Sequence, residues 1–175
     1  MLKQCGRACY TAGMSFTAIP LTGSKPDQYA QLLAQVLALL HDERDRIANA
    51  ANLSSLVYNA LPDLNWVGFY FFDGSELVVG PFQGLPACVR IPLDKGVCGA
   101  AARSGQTQRV EDVHTFPGHI ACDSASRSEL VVPLFDATGA LVGVFDLDSP
   151  LPARFDVDDQ KGLEAIARAY LESLH

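Results

Sequence analysis

The side chains in this sequence whose types could do chemistry include the thiols of Cys88, Cys98 and Cys122 and the carboxyls of Glu129, Asp146 and Asp148. A thiol becomes a nucleophile once ionised, and its oxidised forms can be recycled through a disulfide. A carboxyl held in a pocket can bind a cation or hand over a proton. Strand alternation over Leu141 to Asp148 places Val142, Val144, Asp146 and Asp148 on one face and Leu141, Gly143, Phe145 and Leu147 on the other. An apolar face thus ends in two carboxylates. Aimed at a pocket, they converge on a ligand; on a strand that simply leaves the sheet beside Ser149 and Pro150 they are solvated charges, and position alone favours that second reading. By the same period Glu129 shares a face with Val131 and Phe135 at the start of the neighbouring strand, which brings it near the pair across a hairpin.

The thiols differ in setting. Cys98 lies about one turn into a short helix for which Asp94 is the expected cap, where the helix dipole favours a thiolate. Cys122 stands in a loop with His119 and Arg127, groups that also favour a thiolate, and Cys88 precedes the strand-like run VRIPL. Each has the commonplace alternative of being a small buried hydrophobe. His119, Cys122, Cys88 and Cys98 include the ligand types of a zinc site, yet neither H-x-x-C nor C-x9-C is a standard ligand spacing. Cys5 and Cys9 sit where no packed environment is expected to lower a pKa, and they are read as incidental. Among the aromatics, Trp66 and Tyr70 share a face, and their amphipathic tips suit a pocket wall.

The elements that must position these groups follow from periodicity. Residues 1–25 show neither helical nor strand period and read as a poorly ordered leader, with a single domain over 26–175. Tyr29, Leu32, Leu33, Val36, Leu37 and Leu40 repeat on one helical face, and Ile47 to Leu61 supplies a second amphipathic helix. Trp66 to Phe72, the hairpin signal Asp73-Gly74 and Glu76 to Gly80 form one hairpin; Glu129 to Phe135 and Leu141 to Leu147, joined through Asp136 and Gly139, form another. Between them come a short helix over Asp94 to Ser104, closed by Gly105, and a loop from His114 to Ser128. Asp156 caps a last helix with Leu163, Ile166, Ala167, Tyr170, Leu171 and Leu174 on one face. Two hairpins imply an antiparallel sheet with helices from both chain ends on one face, an α+β sandwich whose other face is left to the loops.

Composition removes several function classes. With 175 residues and 49% hydrophobic content the chain is one globular domain of ordinary make-up. A formal net charge of −7 argues against a nucleic-acid partner. No apolar run is long enough to span a membrane and no signal-peptide core is present, so no membrane partner and a cytoplasmic location are expected. Five cysteines, an odd number in a chain too large to need disulfide staples, point to free or transiently paired thiols. From spacing alone the reading stops at a pocketed α+β domain with free thiols.

The segments NWVGFYFFDG (65–74), GPFQGLPACVRIPLDKGVCGAAARSG (80–105), VEDVHTFPGHIACDSASRSELVVPLFD (110–136) and GVFDLDSP (143–150) resemble the free methionine-(R)-sulfoxide reductase family, over about residues 28–174. The resemblance implies a GAF-like antiparallel sheet with a loop-covered ligand pocket. It implies that Cys122 is the nucleophile, Cys88 the main resolving thiol and Cys98 a further pocket thiol able to pair with Cys122. Glu129, Asp146 and Asp148 would hold the substrate and handle the proton, with Trp66 and Tyr70 around its methyl-sulfur end. The implied substrate is free L-methionine-(R)-sulfoxide and the implied electron donor thioredoxin, with no bound metal or organic cofactor; domains of this family commonly pair, so a homodimer is compatible with it. Two rivals remain, a regulatory GAF module that binds a small ligand without turnover and a redox or metal sensor built on the same cysteines.

Overall fold

The computed structural model describes residues 16–118 and 124–175. Cys5, Cys9, His119 and Cys122 lie outside the described residues, as does most of the expected leader. Residues 16–24 have no helix or strand but are laid along the first helix: Ile19 exchanges backbone hydrogen bonds of 2.8 and 2.9 Å with the Gln35 side chain, and Thr22 exchanges two with Gln31.

Three long helices form where the apolar spacing predicts them. Helix α1 (Lys25–Leu39) starts at a capping box in which Ser24 and Asp27 satisfy each other's backbone N–H groups. Helix α2 (Arg46–Ala60) starts at Asp45, which accepts from the N–H groups of Ile47 and Ala48. Helix α4 (Val157–Glu172) starts at Asp156 with Asp159 closing a second capping box. Their apolar faces, through Leu32, Val36, Leu53, Val57, Leu163, Ile166 and Tyr170, pack on one face of the sheet against Val67, Phe69, Leu130, Val132, Leu134, Phe145 and Leu147.

The sheet has six strands, β1 (Trp66–Phe72), β2 (Glu76–Gly84), β3 (Arg90–Pro92), β4 (Gln108–Val110), β5 (Ser128–Phe135) and β6 (Leu141–Ser149), ordered β3-β2-β1-β6-β5-β4 and antiparallel throughout. The two expected hairpins, β1–β2 and β5–β6, therefore lie side by side through the β1–β6 pairing. Both edge strands, β3 and β4, are three residues long. Such short edges offer little template for pairing with another chain.

The second face carries a separate apolar cluster, Trp66, Tyr70, Leu77, Ile91, Val97, Cys98, Ala101, Ala102, Val131 and Val144, covered by α3 (Gly96–Ser104). This short helix corrects one expectation: its N-cap is Lys95, which makes no side-chain capping bond, and Asp94 stands one residue too early. The start is held instead by the N–H of Gly96 on the carbonyl of Gly118 at 3.0 Å. Gly99 lets the helix approach closely, since a Cβ there would stand 2.8 Å from the carbonyl oxygens of both Pro92 and Leu93. Gly105 ends α3 in the left-handed conformation, as expected.

Candidate functional site

Sheet register alone assembles most of the site. Trp66 on β1 pairs with Asp148 on β6, which pairs with Glu129 on β5, so these three side chains stand in one row across three strands. The next row on the same face is Gly68, Asp146 and Val131, and the one after it Tyr70, Val144 and Pro133. Neighbours in a row have Cβ atoms about 4.5–5.5 Å apart, so the two acids of the first row and Asp146 of the second converge. Gly68 is the gap in the pattern. A Cβ there would lie 2.4 Å from Cβ of Phe82 and 2.6 Å from the Trp66 indole, so its absence lets that indole fold down over the strand. The indole then stacks between Phe82 and Tyr70, with ring centroids at 5.2 and 5.6 Å.

Helix α3 sets Cys98, its third residue, above these rows. The thiol is buried and free, and donates toward Asp146 Oδ2 at 3.3 Å, with Glu129 Oε1 at 3.8 Å. Both of those carboxyls are buried, whereas Asp148 is half-buried. A cleft of about 530 Å³, counting its open mouth, is lined by all three acids together with Trp66, Tyr70, Cys98 and Ser126, and by Leu85, Pro86 and Ala87 at its rim. Two buried polar atoms in this lining, Trp66 Nε1 and Asp146 Oδ1, have no hydrogen-bond partner among the described residues. A donor and an acceptor left open in one pocket cost stability unless a ligand satisfies them.

The electrostatics are those of three acids gathered in one cleft. Burial pushes Glu129 well above the usual carboxylate range, and the charges of Asp146 and Asp148 push it further. Burial raises Asp146 to about 7, against a smaller opposing effect of the Cys98 hydrogen bond. Burial and mutual repulsion thus disfavour the charged forms of both acids, so the pair resists ionising together. The expected pull of the helix dipole toward a thiolate at Cys98 is opposed: burial, then the neighbouring Asp146 and Glu129, raise its pKa well above that of a free thiol. Two nearby carboxyls and loss of water outweigh one turn of helix dipole. Tyr70 is raised as well, first by burial and then by the acids, and stays a phenol.

Cys88 is half-buried on the segment between β2 and β3 and is disulfide-bonded, whereas Cys98 is not, so the bond at Cys88 does not go to Cys98. A zinc site using Cys88 is thereby excluded in this form, since a disulfide sulfur is not a thiolate ligand. Among the described residues Cys98, Glu129 and Asp146 do bring ligand atoms within 4.8 Å of one another, but hydrogen bonds within the cluster already use part of that set. The expected pocket residues Trp66, Tyr70, Cys98, Glu129, Asp146 and Asp148 come together; Cys88 stands on the segment forming the rim; Cys122 lies outside the described residues. Sequence reasoning missed Gly68, Phe82 and Ser126. A glycine inside a strand was the available signal for the first, and nothing local marked the buried Ser126, whose hydroxyl accepts from Asn65 Nδ2 at 3.0 Å.

Comparison with known proteins follows the same lines. The GAF domain family matches residues 31–172. The chain is 48% identical to the free methionine-R-sulfoxide reductase of Escherichia coli over 86% of its own length and 90% of that protein. It is 41% identical to the free methionine-R-sulfoxide reductase of Saccharomyces cerevisiae, covering 83% of this chain and 84% of that one. Its fold superposes on the X-ray structure of free methionine-R-sulfoxide reductase from Neisseria meningitidis in complex with its substrate, with a TM-score of 0.85 and 43% identity over 90% of this chain and 95% of that one.

Proposed function

The chain belongs to the free methionine-R-sulfoxide reductases of the GAF family, and from that premise we propose that it reduces free L-methionine-(R)-sulfoxide to L-methionine in the cleft between β1, β5, β6 and α3. The observation that carries the reading is the meeting of two buried carboxyls with raised pKa values, Glu129 and Asp146, beside Trp66 Nε1 and Asp146 Oδ1, which have no hydrogen-bond partner among the described residues. A sulfoxide sulfur is a poor electrophile until its oxygen is protonated, and Glu129 supplies that proton. Asp146 and Asp148 pair with the substrate ammonium, a charge that a peptide-bound residue lacks. Trp66 and Tyr70 enclose the methyl-sulfur end.

Cys122 attacks the activated sulfur; the oxygen passes to Cys122 as a sulfenic acid and the thioether leaves as methionine. Cys88 condenses with that sulfenic acid, releasing water and closing a Cys88–Cys122 disulfide. The disulfide at Cys88 supports this order. Thioredoxin returns both thiols to the reduced form, so the reading calls for no resident metal or organic cofactor. Cys98 stays a neutral hydrogen-bond donor to the acids in this cycle and pairs with Cys122 only when Cys88 is missing. The chain works in the cytoplasm, where thioredoxin is maintained, and a homodimer is compatible with the cycle.

A thioredoxin-coupled assay with both sulfoxide epimers tests the proposal. Turnover is expected with the free R epimer and little with the S epimer or with peptide-bound sulfoxide; equal rates on both epimers would overturn it.

A further inference from the structure

The described residues include seven large hydrophobics with highly exposed side chains, Ile19, Leu37, Ile47, Leu85, Val89, Leu151 and Val157. Exposed apolar residues scattered singly need no explanation. Leu85 and Val89 are different. At 64% each they are the most exposed of the set, they fall within one five-residue segment, and they bracket Cys88 in the run Leu85-Pro86-Ala87-Cys88-Val89. This segment has no charged side chain. The next charged residue along the chain, Arg90, is tied to Asp73 at 2.9 Å and to Glu76 at 2.8 Å. Two exposed apolar side chains thus flank, along the chain, a half-buried cysteine that is disulfide-bonded.

We propose that Leu85 and Val89 form the docking pad for the protein dithiol that recycles this enzyme, and that Cys88 is the sulfur it attacks. The inference rests on the reductase reading above. A disulfide is reduced by in-line approach of a thiolate to one sulfur, so a protein reductant must seat its own active-site surface around that sulfur. Of the two cysteines among the described residues, Cys98 is buried and free, and Cys88 is the one flanked by exposed apolar side chains. The partner is a thioredoxin-class protein with an apolar surface around its attacking cysteine, which would cover the two side chains that the pad leaves in water. The carrier thiolate attacks Cys88 Sγ; the Cys88–Cys122 bond breaks and Cys122 leaves as a thiolate, already in the form the next turnover needs. The second carrier thiol then attacks the carrier's own sulfur in the mixed disulfide and releases Cys88 as a thiolate. Two electrons and two protons leave the carrier, which ends as a disulfide. Attack on Cys122 instead would release the wrong thiol first and leave the carrier attached to the nucleophile.

The test uses the full chain with two reductants, dithiothreitol and thioredoxin. Val89→Asp and Val89→Lys should both raise the KM for thioredoxin about tenfold while leaving dithiothreitol-driven turnover unchanged, because an apolar contact is lost whichever charge replaces it. A thioredoxin variant with its second active-site cysteine replaced by serine should trap a mixed disulfide that peptide mapping places on Cys88. An unaltered KM in both variants, or opposite effects of the two charges, would overturn the pad, and trapping on Cys122 would overturn the choice of sulfur. Failure of dithiothreitol to drive any reduction of free methionine-(R)-sulfoxide would instead strike the reductase reading itself.

Discussion

Glu129 and Asp146, the acids proposed to carry the chemistry, are both buried, and burial is the main cause that raises their pKa values. Glu129→Gln keeps shape and hydrogen bonding but cannot donate a proton, and kcat should fall about 10²-fold or more with little change in KM, as steady-state kinetics will read. Asp146→Asn should act on binding, through a KM increase for the free amino acid. In the wild type kcat/KM should rise with pH through about 7 as Asp146 ionises and can pair with the ammonium; that limb should vanish in Asp146→Asn. The same shift has a stability consequence of definite sign. An acid whose folded pKa is raised costs nothing below its unfolded value near 4, costs increasingly between the two values, and costs most above the folded one. Asp146→Asn should therefore raise the Tm of the ligand-free protein, more at pH 8 than at pH 5, by about 2–4 °C for each kcal/mol recovered. Cys122→Ser should abolish turnover, whereas Cys88→Ser should still yield about one methionine per active site before stalling, measured in quenched single-turnover samples.

At the scale of elements, the site is a product of register, and register is where the sequence was most legible. The β5–β6 and β1–β2 hairpins announce themselves through Asp136 to Gly139 and Asp73-Gly74, and alternation then pairs Asp146 with Asp148, brings Glu129 near them across the hairpin and sets Trp66 beside Tyr70; that both sets share one face of the sheet is decided by the β1–β6 pairing. The edge strands β3 and β4 are too short to show a period; the first was visible only as an apolar run and the second not at all. The state of Cys98 was illegible for another reason. Its helix context is local, but the carboxyls that decide its pKa come from residues 31 and 48 positions away in the chain. Gly68 offers the sharpest element-level test. Gly68→Ala pushes a methyl into Phe82 and the Trp66 indole, with Phe82 Cα at 2.9 Å allowing little retreat. The strand pairing should survive at a cost of about 1–3 kcal/mol, while the indole leaves its place over the pocket. Kinetics on the purified variant should show kcat/KM down by about tenfold or more at temperatures well below its Tm; an unchanged value would mean that the indole does not shape the site.

The whole molecule divides its labour between the two faces of one sheet. The helix face holds the large core and is stapled by a buried network in which Asp159, 1% exposed, accepts from Lys25 at 2.7 Å, from Arg154 at 3.1 Å and from the Tyr29 hydroxyl at 2.8 Å. These bonds tie the start of α4 to the start of α1 and to the chain just after β6. No residue of that network lines the cleft. The pocket face holds the acids, and the burial of Glu129 and Asp146 lowers stability in the ligand-free state. Breaking a buried ion pair by removing one partner typically costs about 3–5 kcal/mol, which for a chain of this size lowers Tm by roughly 6–20 °C. Asp159→Ala should show that loss by calorimetry, yet at 20 °C the folded protein should retain its kcat and KM, because the sheet's register, not the helix staple, fixes the distance between Glu129 and Asp146. Asp146→Asn should do the reverse, gaining Tm and losing substrate affinity. A large fall in kcat for Asp159→Ala at a temperature where it is fully folded would show instead that strain on the helix face is transmitted through the sheet to the acids.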